Sequence, residues 1–433
     1  MKHFITTILI LLFSNQLFAK DYLISVNKID ETISLIDFEQ KAVTHTIGVG
    51  MIPESLVVHP KGKYVYVANS GQNTISVVDL ESKLVVDTIA VGNYPSALEI
   101  SKDGNTLYIL EYGGFLGFYD LINRTFITKI SVGFTPNYMV LDRIGRYAYI
   151  NNKWGNSVTC VDLEQKRVVS TIYLMRQPSG ATVSYDNNKV YVPSFFAHGC
   201  FINIIDTATN RIEGNYRIPC IPTAITSVPN SSYLIITNTA GMAVIFDSVN
   251  RYVLTSLPVG TSPVAVISMP DGKQAVTANY GSNNLSVINI DNLIVSTKIG
   301  VGAGPTRVAY VNIDKTPPSI SISLPKNQQI LWPPNGKFVK ITPNIEVSDD
   351  TDPHPQVRLV SIECNEETRN IYYSNADFGT DDRDFYLRAE RSGKTTEGRI
   401  YKITYSAKDS SGNEAFQTIE ILVPHDFSTI KTK

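Results

Sequence analysis

Residues 53–92 read PESLVVHPKGKYVYVANSGQNTISVVDLESKLVVDTIAVG. Four short apolar segments stand out, Leu56 to Val58, Tyr64 to Ala68, Thr74 to Val78 and Leu84 to Ile89. Between them lie Pro60-Lys61-Gly62-Lys63, Asn69-Ser70-Gly71-Gln72 and Leu80-Glu81-Ser82-Lys83. Gly, Asn and Ser supply the backbone conformations that tight turns need, so the stretch reads as four strands of an antiparallel sheet. The middle strands are apolar almost continuously, as strands covered on both faces are.

The stretch is one period of a longer pattern. A proline recurs at Pro53, Pro95, Pro136, Pro178, Pro222, Pro263 and Pro305, in steps of 42, 41, 42, 44, 41 and 42 residues. Asp37, Asp79, Asp120, Asp162, Asp206, Asp247 and Asn289 each end a strand 16 residues before the next of these prolines. Repeats near forty residues made of short strands and turns are the mark of propeller blades, too thin to bury their own faces and stable only when stacked. Seven prolines delimit six complete units, and the seventh is assembled from both ends. Tyr22 to Val26, Thr32 to Ile36 and Ala42 to Ile47 precede Pro53, while Thr306 to Val311 follows Pro305. Pairing the two ends closes the ring and leaves no open edge strand. The expected fold class is therefore all-β, with a seven-bladed β-propeller over residues 20–314.

Tyr66-Val67-Ala68-Asn69, Tyr149-Ile150-Asn151-Asn152, Ile235-Ile236-Thr237-Asn238 and Val276-Thr277-Ala278-Asn279 carry a further resemblance. They are similar to the Tyr-Val-Thr-Asn motif of the YVTN family of bacterial and archaeal propellers. Glu111 and Ser194 stand where that motif has its asparagine. The resemblance covers residues 21 to 314 and implies a periplasmic or surface propeller.

Past Asp314 the repeat stops, and Thr316-Pro317-Pro318 forms a stiff junction. Ile320 to Leu324, Phe338 to Ile341, Val357 to Ile362, Tyr401 to Ala407 and Ile419 to Val423 alternate apolar and polar residues, a pattern that predicts an immunoglobulin-like β-sandwich over 315–425. Leu331-Trp332-Pro333-Pro334-Asn335 and Asp409-Ser410-Ser411-Gly412-Asn413 resemble phrases of bacterial immunoglobulin-like modules on secreted proteins. Residues 426–433 form a tail.

Composition narrows the function. With a formal net charge of −2 and 18% charged residues, the 433-residue chain has no broad basic face for a phosphate backbone, which argues against nucleic acid. Met1-Lys2-His3, the apolar run Phe4 to Phe13 and the small residue in Leu17-Phe18-Ala19 read as a signal peptide over 1–19. A periplasmic or secreted protein with no membrane span after cleavage is expected. Cys160, Cys200, Cys220 and Cys364 include no CxxC pair, which argues against a redox dithiol and covalent c-type haem.

In a four-stranded blade, the loop between the second and third strands and the loop entering the next blade emerge on one face. These loops contribute Tyr94, Tyr112, Phe134, Trp154, Arg176, Phe195, Phe196, His198 and Tyr280, an aromatic surface suited to a sugar ring or a peptide. Packing between blades is the competing reading for each of them. The long fourth interval puts Cys200 and Cys220 in loops of that same face, so a disulfide is expected there, with two buried thiols as the alternative.

No two of the six histidines stand at metal-ligand spacing, and no cofactor or metal site is expected. The recurrent Asp79-type carboxylates read as turn caps. Asp349, Asp350, Asp352 and Asp409 could share a calcium ion through their oxygens, and solvated turns explain them equally. No GxSxG, Walker-type loop or dinucleotide fingerprint is present, so no catalytic residue is assigned. The expectation is a non-catalytic binding or scaffolding module for a carbohydrate, peptide or protein. The rival is a lactonase- or lyase-like enzyme at the channel mouth, with Glu111, Asn152, Arg176 and His198 as its first polar candidates. A surface spacer is the third reading.

Overall fold

Six of the seven repeat prolines start a strand, and Pro178 ends the short piece Gln177–Pro178. Pro53–Val58, Pro95–Ile100, Pro136–Leu141, Pro222–Ser227, Pro263–Ser268 and Pro305–Ile313 all begin on their proline. Sequence reasoning opened the first of these at Leu56; it starts three residues earlier because an edge strand tolerates a residue with no N–H to donate. The computed structural model describes residues 20–426 apart from 197–198, 220, 315, 351, 367–370 and 394–397. The chain divides into two units, Lys20–Ile313 and a second that begins at Asp314.

Among the described residues, the first unit holds seven antiparallel sheets. Six have four strands, in five of them in chain order, such as Pro53–Val58, Tyr64–Asn69, Thr74–Asp79 and Leu84–Ala90. One of the six joins the ends of the unit: Pro305–Ile313 pairs with Lys20–Asn27 in the register Leu23↔Tyr310 and Ser25↔Val308. In the sheet built on Pro178 the first strand is broken into Gln177–Pro178 and Thr182–Val183, and both pieces pair with Lys189–Phe196.

The core lies between sheets rather than within them. Tyr66, Ile75 and Ile89 of one sheet pack on Leu98, Leu107 and Ile109 of the next. The same alternation runs through the unit and ends where Val276, Leu285 and Val287 meet Leu23 and Ile36, so the last sheet is buried against the first. The second strands show why their sequences are so apolar: Tyr64–Asn69 is buried at every residue but its first.

The Asp markers cap the outer hairpins. The Asp79 carboxylate accepts the N–H groups of Glu81 and Ser82 at 2.9 and 2.8 Å, and Asp37 and Asp247 repeat the arrangement. These donors hold the Asp120 and Asp247 carboxyls below the usual range. Four residues past each marker the backbone turns left-handed, at Lys41, Lys83, Arg124, Lys166, Asn210, Arg251 and Leu293, with φ between 52° and 65°. The repeat thus encodes a turn, with its carboxylates accepting backbone N–H groups rather than forming a catalytic ring.

The second unit is also all-β among its described residues. Gln356–Cys364, Arg399–Lys408 and Glu414–Val423 form one antiparallel sheet, and Phe338–Ile341 pairs with Phe385–Arg388. Leu359, Phe385, Leu387, Tyr401, Ile403 and Tyr405 fill a core of its own. Within it Arg399 donates from Nε to Glu366 at 2.9 Å, with both side chains at most 5% exposed.

Candidate functional site

The residue after each repeat proline is the key to the site. In the sheet of Pro53, Pro53 pairs with Asn69 and Ser55 with Ala68, so Glu54 is skipped by the register. The same bulge leaves out Ser96, Asn137, Thr223 and Val264, and Thr306 is passed over between Pro305 and Arg307. Ser179 falls in the gap of the broken strand. A bulge frees one side chain from the alternation of the strand and re-aims it. All seven freed residues, Glu54, Ser96, Asn137, Ser179, Thr223, Val264 and Thr306, line one cavity of about 730 Å³. Its wall is completed by Lys28, Ser70, Tyr94, Tyr112, Tyr138, Lys153, Tyr280 and Arg307.

The motif asparagines do not reach that cavity; they clasp the loops behind it. Asn69 Oδ1 accepts the N–H of Gly50 at 3.1 Å, while its Nδ2 donates to Thr74 and Ser76 on the neighbouring strand. Asn152 is likewise buried and donates to Val132 O, Ser157 and Thr159. The fit explains the Val-Gly pairs: a Cβ on Gly50 would stand 2.6 Å from Asn69 Cγ, and one on Gly133 would stand 2.4 Å from Asn152 Cγ. Glu111 occupies the same niche at 4% exposure and pairs with Lys129 at 2.5 Å. Asn152 and Glu111 therefore act inside their sheets, which corrects their selection as the first polar groups to inspect at the channel.

Charge in the cavity is distributed unevenly. Lys28 donates to Glu54, so that pair neutralises itself. Arg307 instead lays its guanidinium over the Tyr138 ring, 4.7 Å from the centroid. These residues belong to first strands of different sheets, Pro305–Ile313 and Pro136–Leu141, so the stack bridges two sides of the cavity. Glu99, on Pro95–Ile100, has its carboxyl pushed up to about 7, chiefly by burial and against the opposing pull of Arg307 and Lys102. The Tyr138 hydroxyl is likewise raised by burial. Beside this stack, Asn137 Oδ1 and Thr306 Oγ1 are buried with no hydrogen-bond partner among the described residues. Unpaired buried polar atoms cost about 1–3 kcal/mol each, and both of these belong to residues of the cavity wall.

Of the expected ligand residues, Tyr94, Tyr112 and Tyr280 line the cavity. Tyr94 is turned there by a left-handed backbone, φ 54°, a conformation shared by Ile52, Thr135 and Ser262 before their own prolines. Phe134, Trp154 and Phe195 are exposed side chains that do not line it, and neither does half-buried Arg176. His198 lies outside the described residues. Cys200 is a buried free thiol where a bridge to Cys220 was expected, and Cys220 lies outside the described residues. Lys28, Glu54, Asn137, Tyr138, Lys153 and Arg307 were missed, although their phase relative to the prolines or to the motif asparagines was visible.

In the second unit, carboxylate oxygens of Asp314, Asp349 and Asp409 lie within 4.8 Å of one another. Of the four aspartates singled out by sequence, Asp352 is engaged elsewhere, accepting the N–H groups of His354 and Ser410. Asp314 joins the cluster in its place. A shallow cleft of about 550 Å³ lies beside Tyr373, Asp377 and Asp382 in the same unit.

No protein-family model and no curated protein matches the sequence. Solved structures do resemble the fold. Hydrazine synthase of Kuenenia stuttgartiensis is similar with a TM-score of 0.54 and 22% identity, over 60% of this chain and 89% of that one. Dihydro-heme d1 dehydrogenase NirN, solved in complex with DHE, gives a TM-score of 0.52 and 14% identity, over 66% and 74%. A functionally unknown protein from Desulfotomaculum acetoxidans DSM 771 gives a TM-score of 0.58 and 14% identity, over 68% and 99%. Hydrazine synthase and NirN are β-propeller proteins, and with the repeated four-stranded sheets they define the class of this chain as a β-propeller. At these identities the likeness speaks for the fold alone.

Proposed function

We propose that the chain is an exported, YVTN-like propeller of seven blades followed by an immunoglobulin-like sandwich, and that it works as a non-catalytic binding module. The blade count is supported by the seven sheets and by the burial of the last against the first. Export is supported by the leader-like residues 1–19.

The observation that carries the binding reading is convergence: four tyrosines and all seven post-proline residues share one cavity of about 730 Å³. That size suits a small ligand, and the wall combines aromatic faces with a few polar groups. Isothermal titration of the mature chain with saccharide, peptide and lactone panels tests it. Binding that survives in wild type and is lost in Tyr94→Ala/Tyr280→Ala is expected. Binding unaffected by the double variant would move the site elsewhere.

The enzymatic alternative draws on one observation. Glu99, with a carboxyl near 7 beside Arg307, has the proton affinity of a general acid or base. Turnover of any lactone in the panel, abolished by Glu99→Gln, would favour that reading over simple binding.

A further inference from the structure

The cavity wall is specific enough to name a ligand class, on the reading that this cavity is the binding site. Two kinds of group on that wall can meet a ligand. The first kind is neutral: Asn137 Oδ1 accepts and Thr306 Oγ1 both donates and accepts, and neither has a hydrogen-bond partner among the described residues. Ser96, Ser179 and Thr223 also line the wall, but their hydroxyls already donate to the carbonyls of Pro136, Pro193 and Pro263, so they offer a ligand acceptor lone pairs only. Together these suit a ligand carrying several hydroxyl groups, since each orphaned atom gains a hydrogen bond only from a polar visitor. The second kind is cationic. With Lys28 closed on Glu54, the remaining positive groups of the wall are Lys153 and Arg307.

Arg307 is held by its stack on Tyr138, a geometry that leaves the N–H edge of the guanidinium to donate to a planar anion. Glu99 is the anion inside the protein that competes for it. Burial keeps the Glu99 carboxyl near 7, so around neutral pH a large fraction is uncharged and a visiting carboxylate meets reduced repulsion. Tyr94, Tyr112 and Tyr280 supply flat apolar faces against which a ring can lie.

We propose that the cavity binds an acidic saccharide, a polyhydroxylated ring bearing a carboxylate, with the carboxylate on Arg307 and Lys153, ring hydroxyls on Asn137 and Thr306, and the ring face on the tyrosines.

Titration calorimetry of the full mature chain with three probes tests each part of the statement. Digalacturonate supplies both groups, its methyl ester removes the charge, and cyclohexanecarboxylate removes the hydroxyls. Digalacturonate is expected to bind at least tenfold more tightly than either of the others. Arg307→Gln is expected to abolish the difference between acid and ester, and Arg307→Lys to restore part of it. Asn137→Leu is expected to weaken acid and ester by the same factor. Should Arg307→Gln fail to fold by circular dichroism, exposed Lys153 offers Lys153→Gln, which is expected to narrow the acid preference several-fold.

Equal binding of acid and ester overturns the carboxylate assignment, and equal binding of cyclohexanecarboxylate overturns the saccharide assignment. A neutral sugar or peptide that binds more tightly than digalacturonate and is lost in Tyr94→Ala/Tyr280→Ala overturns the acidic class while leaving the binding module intact. If no probe and no member of the wider panel binds, both readings fall.

Discussion

Gly48 ends the strand Ala42–Gly48 and Gly50 lies two residues past it, and the structure assigns them opposite sensitivities. A Cβ on Gly48 meets nothing within 4 Å, whereas a Cβ on Gly50 would fall 2.5 Å from Gln72 Oε1 and 2.6 Å from both Cγ and Nδ2 of Asn69. Asn69 cannot simply move aside. It is fully buried, accepts from Gly50 N and donates to Thr74 and Ser76, so displacing it breaks the clasp between two strands and the incoming loop. Overpacking of this kind costs about 1–3 kcal/mol, and the lost hydrogen bond adds about 1 kcal/mol, giving roughly 2–4 kcal/mol for Gly50→Ala. Gly48→Ala is expected to lie within about 0.5 kcal/mol of wild type, because restricting the unfolded chain offsets any small local cost.

The two tryptophans make the measurement clean. Trp154 belongs to the propeller unit and Trp332 to the second unit, so a Trp332→Phe background reports unfolding of Lys20–Ile313 alone. For a slope near 3 kcal/mol per molar urea, the Gly50→Ala midpoint should fall by about 1 M. A Gly50→Ala midpoint indistinguishable from that of Gly48→Ala would refute the idea that close approach to the motif asparagine is why this position is glycine.

Other outcomes follow from named contacts. Burial pushes the Glu99 carboxyl up to about 7 from an ordinary 4.5, so its stabilising contribution is complete below the unfolded value and is lost as pH rises through 7. Relative to Glu99→Gln, wild type should lose up to about 3 kcal/mol between those limits in urea titrations at several pH values, and a parallel pH profile for the two proteins would contradict it. In the second unit, Glu366→Gln leaves Arg399 charged and buried without its counter-ion, at a cost of about 3–5 kcal/mol read from Trp332 fluorescence in a Trp154→Phe background. Asp79→Ala removes the acceptor for the Glu81 and Ser82 N–H groups and should cost about 1 kcal/mol, with no effect on ligand titrations because the hairpin lies away from the cavity wall.

Much of the propeller was legible because its repeat is written in residues whose backbone needs are narrow. Six of the seven prolines mark strand starts on edge strands, the Asp markers cap turns, and the Val-Gly pairs make room for a buried asparagine; each leaves a fixed trace at a fixed phase. The cavity left a fainter trace. Its wall is built at a position where the repeat varies: Ser96, Ser179, Thr223 and Thr306 carry hydroxyls, while Glu54, Asn137 and Val264 bring a carboxylate, an amide and an apolar side chain. The bulge takes these side chains out of strand alternation, so no period-two pattern marks them in the sequence. The aromatic loops drew attention instead because large apolar residues stand out in polar turns. Tyr94 and Tyr280 do converge on the cavity, but Phe134 and Trp154 are exposed by 69% and 57% outside its wall. In a ring of repeats the fold therefore resides in what the units share, and the cavity wall in the two positions after each proline where they differ; at the second of these Arg307 and Tyr138 stand where other units carry the small buried Ser55, Ala97, Ala224 and Ala265, and their stack is the clearest departure from the repeat.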